Sequence, residues 1–218
     1  CPKFTTFTSQ SLQNIWFDSC DAFTTFPVGW WRPDFKATLK SLQVTNCKGI
    51  ENLNISWPSS KINFINIDGS TNLKELHVAG HNLETVDLST NTKLEKIFLQ
   101  NNNLKSLNVS HLPNLNTLNI ANNANLLYVD LNYDHQLSKL YISGMNKGFF
   151  ACVDNPSEVN IDSVFVDADG IKRFYNCDTI VFKDKILEQV LLNFNPPIDT
   201  NKNGVISMFE AKNFTKLV

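Results

Sequence analysis

The clearest candidate for chemistry is a run of twelve residues at positions 199–210. Asp199, Asn201 and Asn203 alternate with Thr200 and Lys202, Gly204 follows, and Glu210 closes the run. This is D-x-[DN]-x-[DN]-G with a glutamate at the twelfth place, the pattern of a calcium-binding loop. Calcium needs six to eight oxygen ligands, which such a spacing can wrap around one ion. In that role Asp199, Asn201 and Asn203 supply side-chain oxygens and Val205 a backbone carbonyl. Ser207 gives an oxygen directly or through water, and Glu210 a bidentate carboxylate. One structural calcium ion is therefore expected. Two of the leading ligands are neutral amides and Lys202 lies inside the loop, so the affinity expected is weak, roughly 10⁻⁵–10⁻³ M.

Two helices must position such a loop. Ile186, Leu187, Val190, Leu191 and Phe194 recur at helical spacing until Pro196 and Pro197 end the pattern. A second short helix is predicted over residues 207–216. Residues 179–218 thus read as a small α-helical, EF-hand-like helix-loop-helix.

Upstream the chain is organised differently. Leu73, Leu94 and Leu115 lie twenty-one residues apart, and Leu137 follows twenty-two later. From each, apolar residues fall three and five places on: Leu76 and Val78, Ile97 and Leu99, Leu118 and Ile120, Leu140 and Ile142. Eight places on stand His81, Asn102, Asn123 and Met145. L-x-x-L-x-L-x-x-N is the leucine-rich-repeat signature. The spacing predicts a leucine-rich-repeat solenoid, β-rich, with short strands on one side and an irregular convex side. Leu39, Leu42, Val44 and Cys47 extend the grid backwards, with Ile50, Leu53 and Ile55 as the second cluster of that unit. Ile62, Ile65 and Ile67 make a further strand only eleven residues before Leu73, which reads as a shortened turn. Five or six coils are expected over residues 38–147. Asn102 and Asn123 are buried by this register and must bond backbone groups of their own and neighbouring coils.

The ends of such a stack need covering. Residues 1–37 are rich in Phe and Trp and read as an N-terminal cap; a sharper reading makes Trp30 and Trp31 a glycan platform. Residues 148–178 form a C-terminal flank bearing Cys152 and Cys177, whose disulfide would staple that end in an oxidising compartment. Cys20 and Cys47 read equally as a second disulfide or as thiols, since Cys47 occupies the slot where buried asparagine or cysteine is at home. Cys1 is a candidate lipid anchor, as in a mature bacterial lipoprotein; the rival reading is a piece of a longer chain. A net charge of −2 gives no reason to expect nucleic acid, and no apolar run is long enough for a transmembrane helix.

Together, the grid over residues 73–91, the flank from Cys152-Val153-Asp154-Asn155 to Tyr175-Asn176-Cys177, and the unit from Ile180-Val181-Phe182-Lys183-Asp184 through Asp199 to Glu210-Ala211 resemble leucine-rich-repeat surface proteins of the Bacteroidota. The resemblance covers about residues 38–216. It implies a secreted or outer-membrane-anchored, non-enzymatic protein, with a place beside an outer-membrane nutrient importer as the suggested setting. His81 departs from the asparagine slot, and the calcium-like unit ends the array rather than preceding it.

Residues between the buried leucines of each strand point outward. Phe64, His77, Lys96, Phe98, Asn119, Lys139 and Tyr141 would therefore line one face, with an apolar stripe that the core does not require. Neither a nucleophile motif nor a phosphate loop occurs, and the four histidines have no metal-ligand spacing. The reading is a non-catalytic cell-surface lipoprotein that binds a protein, peptide or glycan through its repeat face, possessing no nucleic-acid role. The alternative is a structural spacer or a fragment of a larger secreted adhesin.

Overall fold

A computed structural model of the chain describes residues 14–22, 24, 39–55, 61–131, 137–146, 149–152, 163–165, 174–175, 189, 191 and 193. Among the described residues twelve short strands follow one another: β1 (Asn14–Asp18), β2 (Ser41–Thr45), β3 (Asn52–Asn54), β4 (Phe64–Asn66), β5 (Glu75–His77) and β6 (Lys96–Phe98). Then come β7 (Thr117–Asn119), β8 (Tyr128–Asp130), β9 (Lys139–Tyr141), β10 (Phe150–Cys152), β11 (Ser163–Phe165) and β12 (Phe174–Tyr175). Every pairing between them is parallel.

The pairing order defines the architecture. One sheet runs β3-β5-β6-β7-β9-β11; β1-β2-β4 form a second and β8-β10-β12 a third. Between the second and third sheets, residues 82–88 and 103–109 continue the same row. Asn82 N–H bonds Ile62 O, Asn103 N–H bonds Leu83 O, Lys105 N–H bonds Glu84 O, and Asn108 bridges to Asp130. Each coil therefore places one segment in each of two rows before climbing to the next. The protein is a β-solenoid of about five parallel, stacked turns.

The expected leucine-rich-repeat horseshoe is not what forms. In that fold only one side of each coil is a strand, whereas here the second cluster of each unit also enters a parallel row. The reason is visible in the apolar spacing. Buried Leu39, Ile50, Ile62, Leu73, Leu83, Leu94, Leu104, Leu115, Leu126 and Leu137 recur every ten to twelve residues. Each begins an L-x-x-L-x-L unit, so the true unit is a half-coil, and both halves carry the same instruction to alternate in and out. The spacing of eleven that looked like a shortened turn before Leu73 is the rule. Register follows: Leu53 sits beside Leu76, and Leu42 beside Ile65.

The EF-hand-like unit expected over residues 179–218 is not seen among the described residues. Helical backbone among the described residues is confined to Gln189 and Leu191, with Asn193 N–H donating to Gln189 O at 3.2 Å. No helix-loop-helix occurs among the described residues, and residues 199–210 lie outside them.

The interior of both rows is one apolar cluster, to which each half-coil contributes its three aliphatic positions. A fully buried Leu or Ile contributes about 1.5–3 kcal/mol, so successive coils hold one another by this alone. What burial cannot do is satisfy the backbone at the corners. The residue eight places on from the first aliphatic residue of the half-coil does that. Asn102 Nδ2 donates to Val78 O of the preceding coil at 2.6 Å and to Leu99 O of its own, while its Oδ1 accepts from Leu83 N–H. Asn123 repeats the arrangement one coil on, with Leu99 O at 3.0 Å, Ile120 O at 2.9 Å and Leu104 N–H at 3.0 Å. His81, which broke the asparagine pattern, does the same task through Nε2 and Ile55 O at 2.6 Å. In the other row the slot holds Cys47, Ser70 and Asn91: Cys47 N–H donates to Ser70 Oγ, Ser70 Oγ to Val44 O, and Asn91 Nδ2 to Ile67 O.

At seven described corners the residue just before the turn is left-handed. Ser19, Asn46, Asn101 and Asn122 have φ of 53–58°, and Gly69, Gly80 and Gly144 have φ of 67–81°. The side chains stack there too, since Asn122 Nδ2 donates to Asn101 Oδ1 at 2.9 Å. Glycine is obligatory where the stack is tightest: a Cβ on Gly144 would collide with Asn122 Oδ1, and one on Gly69 with Asn46 Oδ1.

Two stability predictions follow from these corners. Gly144→Ala should lower the unfolding free energy by about 2–3 kcal/mol, from left-handed strain plus the displaced amide. Gly80→Ala, with open space around its Cβ, should cost only the strain, about 1 kcal/mol. Asn123→Ala strands the Leu104 N–H and two carbonyls, and should cost about 2–4 kcal/mol, against under about 0.5 kcal/mol for exposed Asn125→Ala. Urea denaturation of the four variants measures all these differences.

Candidate functional site

The outward residues of the six-stranded sheet form two rows running across the strands. One row is Asn54, His77, Phe98, Asn119 and Tyr141; the other is Asn52, Glu75, Lys96, Thr117 and Lys139. They face out because the alternate residues Leu53, Leu76, Ile97, Leu118 and Leu140 are buried. Parallel strands lie about 4.8 Å apart, so each row is a ruler with one side chain per strand.

His77, Lys96, Phe98, Asn119, Lys139 and Tyr141 are thus brought together as the sequence predicts. Phe64 is not. It lies on β4 in the β1-β2-β4 sheet, half exposed, where Ser41 is its register partner. The half-coil period moved it: residues 62–67 belong to the same row as residues 39–44, not to that of residues 73–78. On that other sheet Phe64 shares the outward side with Trp16, whose Nε1–H donates to Thr45 Oγ1 at 2.9 Å.

The centre of the six-stranded face is a braced group. His77 stacks on Phe98 with ring centroids 4.3 Å apart and 14° between planes. Glu75 holds three neighbours: Lys96 Nζ at 2.6 Å on Oε1, and Asn52 Nδ2 at 3.0 Å and His77 Nε2 at 3.4 Å on Oε2. Above all the Lys96 ammonium, and then His77, hold the Glu75 carboxyl below its ordinary value against the opposing effect of burial. Tyr141 lies two strands beyond Phe98 in the same row, with Asn119 between them. A flat ring pair, a phenol, amides and charged ends at fixed intervals suit stacking and hydrogen bonding to a partner. Sequence reasoning missed Asn52 and Asn54, and placed Glu75 on the outward face without giving it a part in the site; counting by half-coils would have found the first two.

The calcium expectation is withdrawn. No group of three or more His, Cys, Asp or Glu that could hold a metal ion occurs among the described residues, and no helix-loop-helix is there to carry one. Asp199, Asn201, Asn203, Val205, Ser207 and Glu210 all lie outside the described residues. So do Cys1, Trp30, Trp31 and Cys177. Cys152 is disulfide-bonded, whereas Cys20 and Cys47 are buried thiols rather than a second bridge. No helix among the described residues is long and apolar enough to cross a membrane.

No protein-family model matches the chain, and no curated protein matches it.

Glu75 makes the face sensitive to acid. A carboxyl whose folded value is depressed adds stability above its ordinary value of 4.5, and that stability is lost as pH falls through the depressed value. Glu75→Gln should lower the melting temperature at neutral pH and flatten its dependence on pH below about 4.5, so that variant and parent converge in acid. An unaltered acid limb in the variant would show that the Glu75–Lys96 pair does not hold in solution.

Proposed function

We propose that the protein is a non-catalytic recognition module, binding a protein, peptide or glycan across the outward face of its six-stranded sheet. The observation that carries this reading is the His77–Phe98 stack, fixed by Glu75 and aligned in one row with Asn119 and Tyr141. The core does not need these aromatic rings, since Leu76, Ile97, Leu118 and Leu140 already fill the inside of the same strands. Ordered aromatics lose little conformational freedom on binding and are the usual anchors of an interface. The disulfide at Cys152 supports work in an oxidising, extracytoplasmic setting.

A second reading, a structural spacer, draws on a different observation. Many outward side chains are bonded to their counterparts one coil away: Lys74 to Glu51, Lys93 to Asn72, Lys105 to Glu84 and Asn122 to Asn101. Such ladders brace a rod without needing a ligand, although each exposed ion pair contributes only about 0–1 kcal/mol.

Peptide and glycan arrays probed with the intact chain separate the two. The binding reading expects a ligand whose affinity falls about tenfold or more in the Phe98→Ala, Tyr141→Ala double variant, with the melting temperature preserved. Phe64→Ala, on the other sheet, should leave that affinity unchanged. Ligands indifferent to the double variant would overturn the assignment of this face, and blank arrays would favour the spacer.

A further inference from the structure

The two buried thiols occupy equivalent places on adjacent coils. β1 and β2 pair in parallel with Asp18 beside Thr45. The ladder runs on past the strands, because Ser19 N–H donates to Thr45 O at 3.0 Å. Counting on in register puts Cys20 beside Cys47. Each thiol points the same way: Cys20 Sγ donates to Asp18 O at 3.4 Å and Cys47 Sγ to Thr45 O at 3.3 Å, and those two carbonyls belong to register partners. Cys20 N–H also donates to Cys47 Sγ at 3.3 Å, so that sulfur lies against the backbone of the other cysteine.

In-register neighbours in a parallel sheet have Cα atoms about 4.8 Å apart, inside the range of about 4.4–6.8 Å that a disulfide spans. Side-chain rotation, without a shift of the coils, is enough to close the bond. The bonded state of Cys152 suits a compartment where disulfide exchange operates. We propose that Cys20 and Cys47 are a redox modification site, a latent inter-coil disulfide that locks the β1 coil onto the β2 coil.

The co-reactant is a low-molecular-weight or protein disulfide. One cysteine thiolate attacks a reagent sulfur, breaking the reagent S–S bond, expelling one thiolate and leaving a mixed disulfide. The second cysteine thiolate then attacks the protein sulfur of that mixed disulfide and expels the other reagent thiolate. One protein S–S bond replaces one reagent S–S bond. Two electrons pass to the reagent, and the two protons lost by the cysteines end on its two thiols.

Burial sets when this happens. Both sulfurs are shielded from solvent, and burial above all, against the opposing hydrogen bond from the Cys20 N–H, pushes the Cys47 thiol up to about 11. The docked coils therefore exchange slowly, and the reaction runs while the β1 coil is open, either during folding or in a local opening. Once formed, the bond closes a loop of the chain between the two cysteines and removes freedom from the open state.

The test uses the full chain refolded in a buffer of reduced and oxidised glutathione, alkylated and mapped by mass spectrometry. The expected map joins the Cys20 and Cys47 peptides with the loss of two hydrogens. The oxidised chain should melt several degrees above Cys20→Ser refolded in the same buffer, because the cross-link removes freedom from the open state. Native chain given the same buffer should form the link more slowly. Two alkylated thiols after refolding, or glutathione adducts without the cross-link, would overturn the proposal. The map needs no variant, and Cys20→Ala serves for the melting comparison if Cys20→Ser folds poorly.

Discussion

The fold depends on a hydrogen bond that one coil makes to the next at its corner. Apolar burial would hold stacked turns together in many relative positions, because aliphatic contact has no direction. The corner bond has one. A side chain eight places on from the first aliphatic residue of a half-coil reaches the carbonyl of the preceding coil, and in Asn102 and Asn123 its oxygen accepts a backbone N–H as well. Those backbone groups turn away from the strand ladder and would otherwise be buried without partners, at about 1–3 kcal/mol each. The bond therefore fixes register as well as stability. Chemically unlike residues serve: asparagine, histidine, serine and cysteine all appear, because the task is to present one polar atom at the right depth. Where the oxygen finds no donor, as at Asn91 Oδ1, the slot still keeps its bond to the preceding coil.

Register in turn produces the surface. Parallel strands stacked in step put equivalent outward residues in straight rows, so a change at one position lands beside its counterparts and not at random. That is how His77 comes to lie flat on Phe98 and how Glu75 meets Lys96, Asn52 and His77 together. None of these contacts is local in sequence except the one between Glu75 and His77. The same logic aligns Cys20 with Cys47. A recognition face and a cross-coil thiol pair are two uses of a single geometric fact.

Much of this was legible in the residues, and the failures share a cause. The aliphatic grid correctly marked the buried positions, and the asparagines eight places on were correctly read as backbone partners. The error lay in the period. A unit of twenty-one residues pairs Leu73 with Leu94 as well as a half-unit does, so residues 73–142 gave no warning. Only Leu39, Ile50 and Ile62 distinguish the two, since their spacings of eleven and twelve fit half-coils and break the longer repeat. Reading that break as an irregular turn placed Phe64 on the wrong sheet and supplied a horseshoe with one strand per turn. The calcium reading is corrected on other grounds, since the described residues hold neither a metal-binding cluster nor a helix-loop-helix. Its spacing is a local pattern, whereas coordination needs flanking elements to hold it. The helical spacing over residues 186–194 finds its backbone at Gln189 and Leu191 only, among the described residues. The sequence put Cys20 and Cys47 forward as a pair but left open whether they are bonded or thiols; they are buried thiols, and register accounts for their closeness across the twenty-seven positions that separate them.

The half-coil register is tested most directly by backbone nuclear Overhauser effects in deuterated protein. The structure predicts cross-strand contacts between Leu53 and Leu76 and between Leu42 and Ile65, with Ile55 N–H near His77. A horseshoe built on the longer unit predicts Ile65 beside Leu76 instead. Contacts of the first kind, without the second, would establish two rows of strands per turn; strong Ile65–Leu76 contacts with none between Leu53 and Leu76 would contradict the account.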